Sequence, residues 1–249
     1  MTEKDNPNEG LFIVEGGELS ISGMTFTINE KGEINLEPAA IRLRLDVCPE
    51  WLEIAIDHLE TNTLSAEDIQ NALKIKDDKI IGEALKKEFR YGMQSIVASC
   101  TAVEAFFEII CELANIPDDL KDSWRKNRTP KYARIAEAIK IAFNINNKTV
   151  EKIREYLKES FSYRDKAVHP HQDFMPPALH PELNRVVDIK FVLFRHYNAR
   201  TILHTTLSLI YQLCRYDKIK KKEIKTYSKQ LLGKLKPIVE IWESNYGTL

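Results

Sequence analysis

Cysteine is scarce, with four residues in 249 (Cys48, Cys100, Cys111 and Cys214) and no C-x-x-C pair. That excludes a disulfide scaffold and a zinc ribbon, and points to reduced thiols in a cytoplasm. Net charge is nearly absent: 36 Lys+Arg against 37 Asp+Glu give a formal -1, so no whole-chain field draws the protein onto nucleic acid or an anionic membrane. Long hydrophobic runs are missing too. The longest apolar stretch, 95–116, is broken by Glu104, Glu108 and Glu112, so neither a membrane span nor a membrane partner is expected. The opening residues MTEKDNPNEG lack the basic start and apolar run of a secretory signal. There is no internal repeat and no low-complexity tract. What is present, 43% hydrophobic and 29% charged residues, describes a globular chain long enough to bury a full core.

Charge is unevenly spread. Residues 1–60 carry 4 Lys+Arg against 13 Asp+Glu, whereas 215–236 carry 9 against 2. Between Leu11 and Leu45 the hydrophobic pattern has period two: Leu19 and Ile21 alternate with serines, Met24, Phe26 and Ile28 with Thr and Asn, and Ile41, Leu43 and Leu45 with arginines. Turn residues at Gly16-Gly17, Ser22-Gly23 and Asn29 to Gly32 predict a small antiparallel β meander over 1–48, too small to be stable alone. From Pro49 the period becomes helical. Ser65, with Glu67 and Asp68 behind it, reads as a helix start, and one long helix is expected to reach Ile116. It carries Ile96, Cys100, Val103, Phe107 and Ile110 on one face, which makes Cys100 and Cys111 core thiols. Helices are predicted over 131–144, 148–163, 183–215 and 218–246, with a polar loop around Pro117 and a Pro-rich connection from Pro170 to Pro181. The expected fold is therefore mainly α: an up-down helical bundle over 49–249 with the β-rich segment at its N-terminus.

One stretch stands apart, Phe161-Ser-Tyr-Arg-Asp-Lys-Ala-Val-His-Pro-His171. It sets a permanent cation (Arg164), a carboxylate (Asp165) and two imidazoles (His169, His171) at the end of an apolar helix. Five positions along an ideal helix separate Arg164 and His169 by about 140°. Pro170 disfavours helical backbone at His169, so the helix is expected to end near Val168 and leave the imidazole on irregular chain.

An Arg, an adjoining polar residue and a His after four intervening residues, downstream of a helix with the small-and-aromatic face Ala98-Ser-Cys-Thr-Ala-Val-Glu-Ala-Phe-Phe107, resembles the HEPN superfamily of helical-bundle proteins. The likeness covers roughly 80–215 and leaves out the N-terminal strands. It implies a metal-independent endoribonuclease site assembled across a homodimer, with Arg164, Asp165 and His169 at the motif positions and His171 also within the allowed spacing. It further implies RNA as substrate, a role as toxin or defence effector with a possible neutralising protein partner, and no cofactor. HEPN-like folds also occur as inert nucleotide- or protein-binding modules, and that is the competing expectation.

The residue types suit the chemistry in their own right. Cleavage of RNA by its 2′-hydroxyl needs a base, an acid and positive charge on the phosphorane. Histidine, with an ordinary pKa near ~6.5, serves as either proton carrier, and the arginine fork holds two phosphate oxygens. Glu104, on the flank of the apolar face, is an auxiliary candidate that would orient Arg164 or a histidine. The plainer reading of Arg164 and Asp165 is a surface ion pair beside a helix end. His169, His171, Asp173 and His180 offer metal-ligand types, although no recognised ligand set contains them. His196 and His204 read as core or interface histidines with satisfied nitrogens. Lys218, Lys222, Lys225 and Lys229 line one face of the last helix. They are either a solvated exterior or a phosphate-tracking surface that guides RNA to the motif, with no aromatic among them to read bases.

Overall fold

The structure, a computed structural model, describes residues 14, 17–21, 23, 25–28, 31–37, 41–169 and 175–249. The chain divides into two compact units, Met1–Asp46 and Val47–Leu249.

In the first unit β1 (Gly17–Ile21) pairs antiparallel with β4 (Ile41–Leu45), and β2 (Thr25–Ile28) with β3 (Ile34–Glu37). The antiparallel strands are those that the alternation predicts. Their order differs from a meander, in which each strand would pair with the next. Gly17 opposes Leu45, Ile21 opposes Ile41 and Ile28 opposes Ile34 in one continuous register, so the two ladders are the base and tip of a single hairpin. Gly23 falls at the interruption between them, and the reversal comes near Gly32, whose φ of 78° suits a residue without a Cβ. Gly16, Ser22, Met24, Asn29 and Glu30 lie outside the described residues.

The second unit is a helical bundle. Helices α1 (Cys48–Ile75) and α2 (Asp78–Leu113) form an antiparallel pair, bonded across by Ser95 Oγ to the Ala55 carbonyl (2.8 Å) and Asn62 Nδ2 to the Glu88 carbonyl (2.6 Å). The long helix expected from Ser65 to Ile116 is thus two. Ser65 sits buried inside α1, its hydroxyl donating to the Thr61 carbonyl (2.7 Å). The break lies at Lys76, left-handed at φ 60°, and at Asp77, whose carboxylate accepts from the Lys79 and Ile80 N–H groups. A left-handed Lys and a capping Asp replace the usual Gly or Pro there, which hides the break in a run of charges.

α3 (Asp118–Lys126) occupies part of the expected loop, and α4 (Lys131–Phe143) and α5 (Asn147–Val168) follow. The helix expected over 183–215 begins only at residue 196. Before it stand a two-stranded ladder, β5 (Ala178–His180) with β6 (Arg185–Val187), and the short α6 (Ile189–Leu193). Left-handed Asn184, at φ 50°, turns the ladder. α7 (His196–Arg215) and α8 (Lys222–Tyr246) complete the unit.

α2 is the central element, packed by α1, α4, α5 and α7. Its buried stripe, including Ile96, Cys100, Val103, Phe106 and Ile110, joins the main core. A smaller core of Ile69, Ala72, Ile81, Ala84, Leu85 and Leu183 holds the α1–α2 turn against the β5–β6 segment. Among the described residues no helix is long and apolar enough to cross a membrane.

Candidate functional site

α5 is capped by Asn146, whose side chain accepts from the Thr149 N–H (2.9 Å), and it buries Val150, Ile153, Leu157 and Phe161. Val150, Leu157 and Arg164 are seven positions apart, so the arginine continues the core-facing stripe and turns toward α2. There Arg164 Nη2 donates to Glu104 Oε1 at 2.6 Å, while Nη1 lies 3.1 Å from Asp165 Oδ1. Its guanidinium carbon also stands 5.0 Å from the centre of the Phe161 ring, within reach of a cation–π contact. The Arg164 side chain keeps 22% of its surface exposed and Asp165 58%, so the pair is open on the Asp165 side. Beneath it, Cys100 Sγ lies 3.5 Å from the Ser160 carbonyl, and burial pushes the Cys100 thiol up to about 12 against the pull of Arg164. A thiolate nucleophile is excluded at that position.

α5 ends at Val168, before Pro170. His169 has left helical backbone (φ -121°, ψ 70°), its N–H bonded to the Asp165 carbonyl at 2.8 Å and the residue exposed just past the helix end. Arg164, Asp165, Glu104 and the root of His169 therefore gather at one place, where α5 leaves α2. His171 and Asp173 lie outside the described residues. Beside this end opens a groove of about 290 Å³ walled by Trp51, His58, Met93, Val97, Ala167 and Val168. Burial lowers the pKa of His58, and its ring meets Tyr91 at 5.9 Å. Sequence reasoning did not single out His58, because nothing local marks it; it reaches the groove only through the α1–α2 pairing.

Lys222, Lys225 and Lys229 are exposed along one face of α8, and Lys218 is exposed ahead of the helix. Lys218 therefore does not share the helical face assigned to it, because α8 begins four residues later. The start of α8 is tied to the end of α2 by Lys221 Nζ, which donates to the Ala114 carbonyl. Ala114 lies ten residues beyond Glu104, about 15 Å along the helix direction.

A second cluster, which the sequence analysis did not assemble, lies near the other end of α2. Glu88 is 3% exposed, and Oε1 accepts the His196 backbone N–H at 2.9 Å. Burial, the largest influence, raises its pKa to about 7 against that hydrogen bond. His180 is fully buried, with Nε2 4.0 Å from Glu88 Oε2 and Nδ1 3.1 Å from Glu182 Oε2, and among the described residues neither nitrogen makes a hydrogen bond. Nε2 of His196 likewise has no partner among the described residues, contrary to the expectation of satisfied nitrogens. His204 instead stacks on Trp242 with ring centres 5.4 Å apart, as a packed core histidine would. His180 lies in this cluster beside Glu88 and Glu182, on β5 rather than at the end of α5 with His169. Among the described residues no group of three or more His, Cys, Asp or Glu is placed to hold a metal ion.

Comparison of the chain with family models, with curated proteins and with solved structures finds no match.

Proposed function

We propose that the end of α5 is half of a metal-independent endoribonuclease site, completed by a second copy of the chain and working in the cytoplasm, where the four free cysteines stay reduced. In this reading Arg164 binds the scissile phosphate and neutralises the phosphorane, and His169 takes the proton from the 2′-hydroxyl. The 2′-oxygen attacks phosphorus, the bond to the 5′-oxygen breaks, and His169 of the second copy returns a proton to that oxygen. The products are a 2′,3′-cyclic phosphate and a 5′-hydroxyl end. The activity suits a toxin or defence effector, held in check by a protein partner.

The observation that carries the reading is the fixed, half-open guanidinium. Glu104 holds one edge at 2.6 Å, and the exposed Asp165, at 3.1 Å, is the group that a phosphate would displace. His169 is exposed one residue beyond the helix and is free to approach the same phosphate.

A second reading, a catalytically silent binding module, draws on that same contact. Two carboxylates already answer the Arg164 charge, so the pair also suits a purely structural tie.

Purified protein incubated with total RNA and EDTA separates the two. The nuclease reading expects cleavage products ending in cyclic phosphate, with Arg164→Ala and His169→Ala each slower by at least about 100-fold. Absence of cleavage, or activity that survives both substitutions, would leave the binding module. Cleavage abolished by EDTA would point to a metal hydrolase. A strictly monomeric protein at micromolar concentration would remove the shared site.

A further inference from the structure

Between α1, α2 and the start of α7 lies a cavity of about 300 Å³, bounded by Glu67, Gln70, Glu88, His180, Glu182 and His196. Among the described residues no lysine or arginine lines it. Arg195 is committed to other partners: Nη1 donates to Glu182 Oε1 at 2.9 Å, and its guanidinium stacks at 5.3 Å on Tyr197. Gly92 lies one turn beyond Glu88 on α2. A Cβ there would fall 1.9 Å from the Phe194 carbonyl oxygen, so α2 and the chain entering α7 are already in contact.

Inside, the polar atoms are left short of partners. Glu88 Oε2 and His180 Nε2 face each other across 4.0 Å, too far for a direct bond and close enough for one donor-bearing group to sit between them. Among the described residues neither nitrogen of the fully buried His180 nor Nε2 of His196 makes a hydrogen bond, although His180 Nδ1 lies 3.1 Å from Glu182 Oε2. Glu67, Glu88 and Glu182 make the lining acidic, which disfavours an anion. Burial lowers the pKa of both His180 and His196, which keeps their rings neutral and able to accept a hydrogen bond.

We propose that this cavity is a binding site for a small organic cation, a primary ammonium or a planar amidinium, whose N–H groups bridge Glu88 and His180 while Glu67 and Glu182 face it from the rim. The site stands apart from the motif. Glu88 precedes Glu104 by sixteen positions on α2, about 24 Å, and nothing in the proposal needs RNA cleavage. Cation entry favours the ionised Glu88 carboxylate, so a proton leaves as the ligand arrives.

The test is calorimetric titration of the full chain at pH 7 with methylguanidinium, ethylammonium and, as anion control, acetate, in phosphate and in MOPS. The two buffers differ in their heat of ionisation. The proposal expects one cation bound per chain, an apparent enthalpy that differs between the buffers because a proton is released, and no acetate binding. Glu88→Gln is expected to weaken the cation at least about tenfold and to remove the buffer dependence. Glu67→Gln, at an exposed rim position where folding is not at stake, is expected to weaken it about two- to threefold. Silence of both cations at millimolar concentration overturns the proposal, as does acetate binding in their place. Affinity unchanged in both variants does the same.

Discussion

Arg164 Nη2 reaches Glu104 Oε1 at 2.6 Å across 60 positions of sequence, tying the last turns of α5 to the middle of α2. Both side chains are more than two-thirds buried, at 22% and 29% exposure, so water screens the pair less than it screens an ordinary surface bridge. A double-mutant cycle with Glu104→Ala and Arg164→Ala should give a coupling of about 1 kcal/mol or more, read from urea unfolding. Strict additivity of the two single losses would mean that the contact is not formed in solution.

Glu88 makes stability depend on pH. Its carboxyl has an ordinary pKa of 4.5 when unfolded and about 7 when folded, so between those values only the folded chain keeps the proton. Stability from this group is full below pH 4.5, falls as pH rises toward 7, and then levels off, a total of about 3 kcal/mol. Glu88→Gln removes the effect. The melting temperature of the variant relative to wild type should therefore rise by about 5 °C or more between pH 5 and pH 8. A pH-independent difference would contradict the shift. His180 and His196 act in the opposite sense, since burial lowers their pKa values and the stability they carry is lost below about pH 6.5.

Gly92 and Gly82 both lie in α2 and make a matched pair. An added methyl at Gly92 collides with the Phe194 carbonyl oxygen, whereas at Gly82 nothing stands within 4 Å. Gly92→Ala should cost at least about 2 kcal/mol, or about 4–8 °C of melting temperature. Gly82→Ala should raise stability by about 0.5–1 kcal/mol, because alanine loses less backbone freedom. Thermal melts of the two variants moving in the same direction would contradict the close approach.

The lysine face of α8 is tested by charge reversal. If Lys222, Lys225 and Lys229 track phosphates, each Lys→Glu change lowers the slope of log affinity against log salt for RNA by about 1 or more, while the melting temperature holds. All three are exposed, so folding is not at stake. An unchanged slope would make the face a solvated exterior.

The motif was readable because its determinants are local. Val150, Leu157 and Arg164 repeat every seven residues, and Pro170 marks the end of α5, so both the placing of the arginine and the release of His169 follow from one short stretch. The Glu104 contact is long-range, and only its position on the flank of an apolar stripe hinted at it. The Glu88 cluster had no such signal. Its members come from α2, β5, the turn after it and α7, and the bond from His196 to Glu88 spans 108 positions. The break between α1 and α2 was hidden for another reason. Asp77 caps the second helix inside a charged run that suits a helix surface equally well. The antiparallel segment is legible in the alternation but its strand order is not, because Ser22-Gly23 has turn composition while the pairing on either side of it keeps one register.

Helix α2, 36 residues without a break, carries Glu88 at one end of its span and Glu104 farther along. One inserted or deleted residue between them would turn one set of side chains about 100° relative to the other and shift it about 1.5 Å. Either the Glu88 cluster or the Arg164–Glu104 contact would then fall out of register with the helices packed against it, so the 88–104 stretch behaves as a ruler of fixed length.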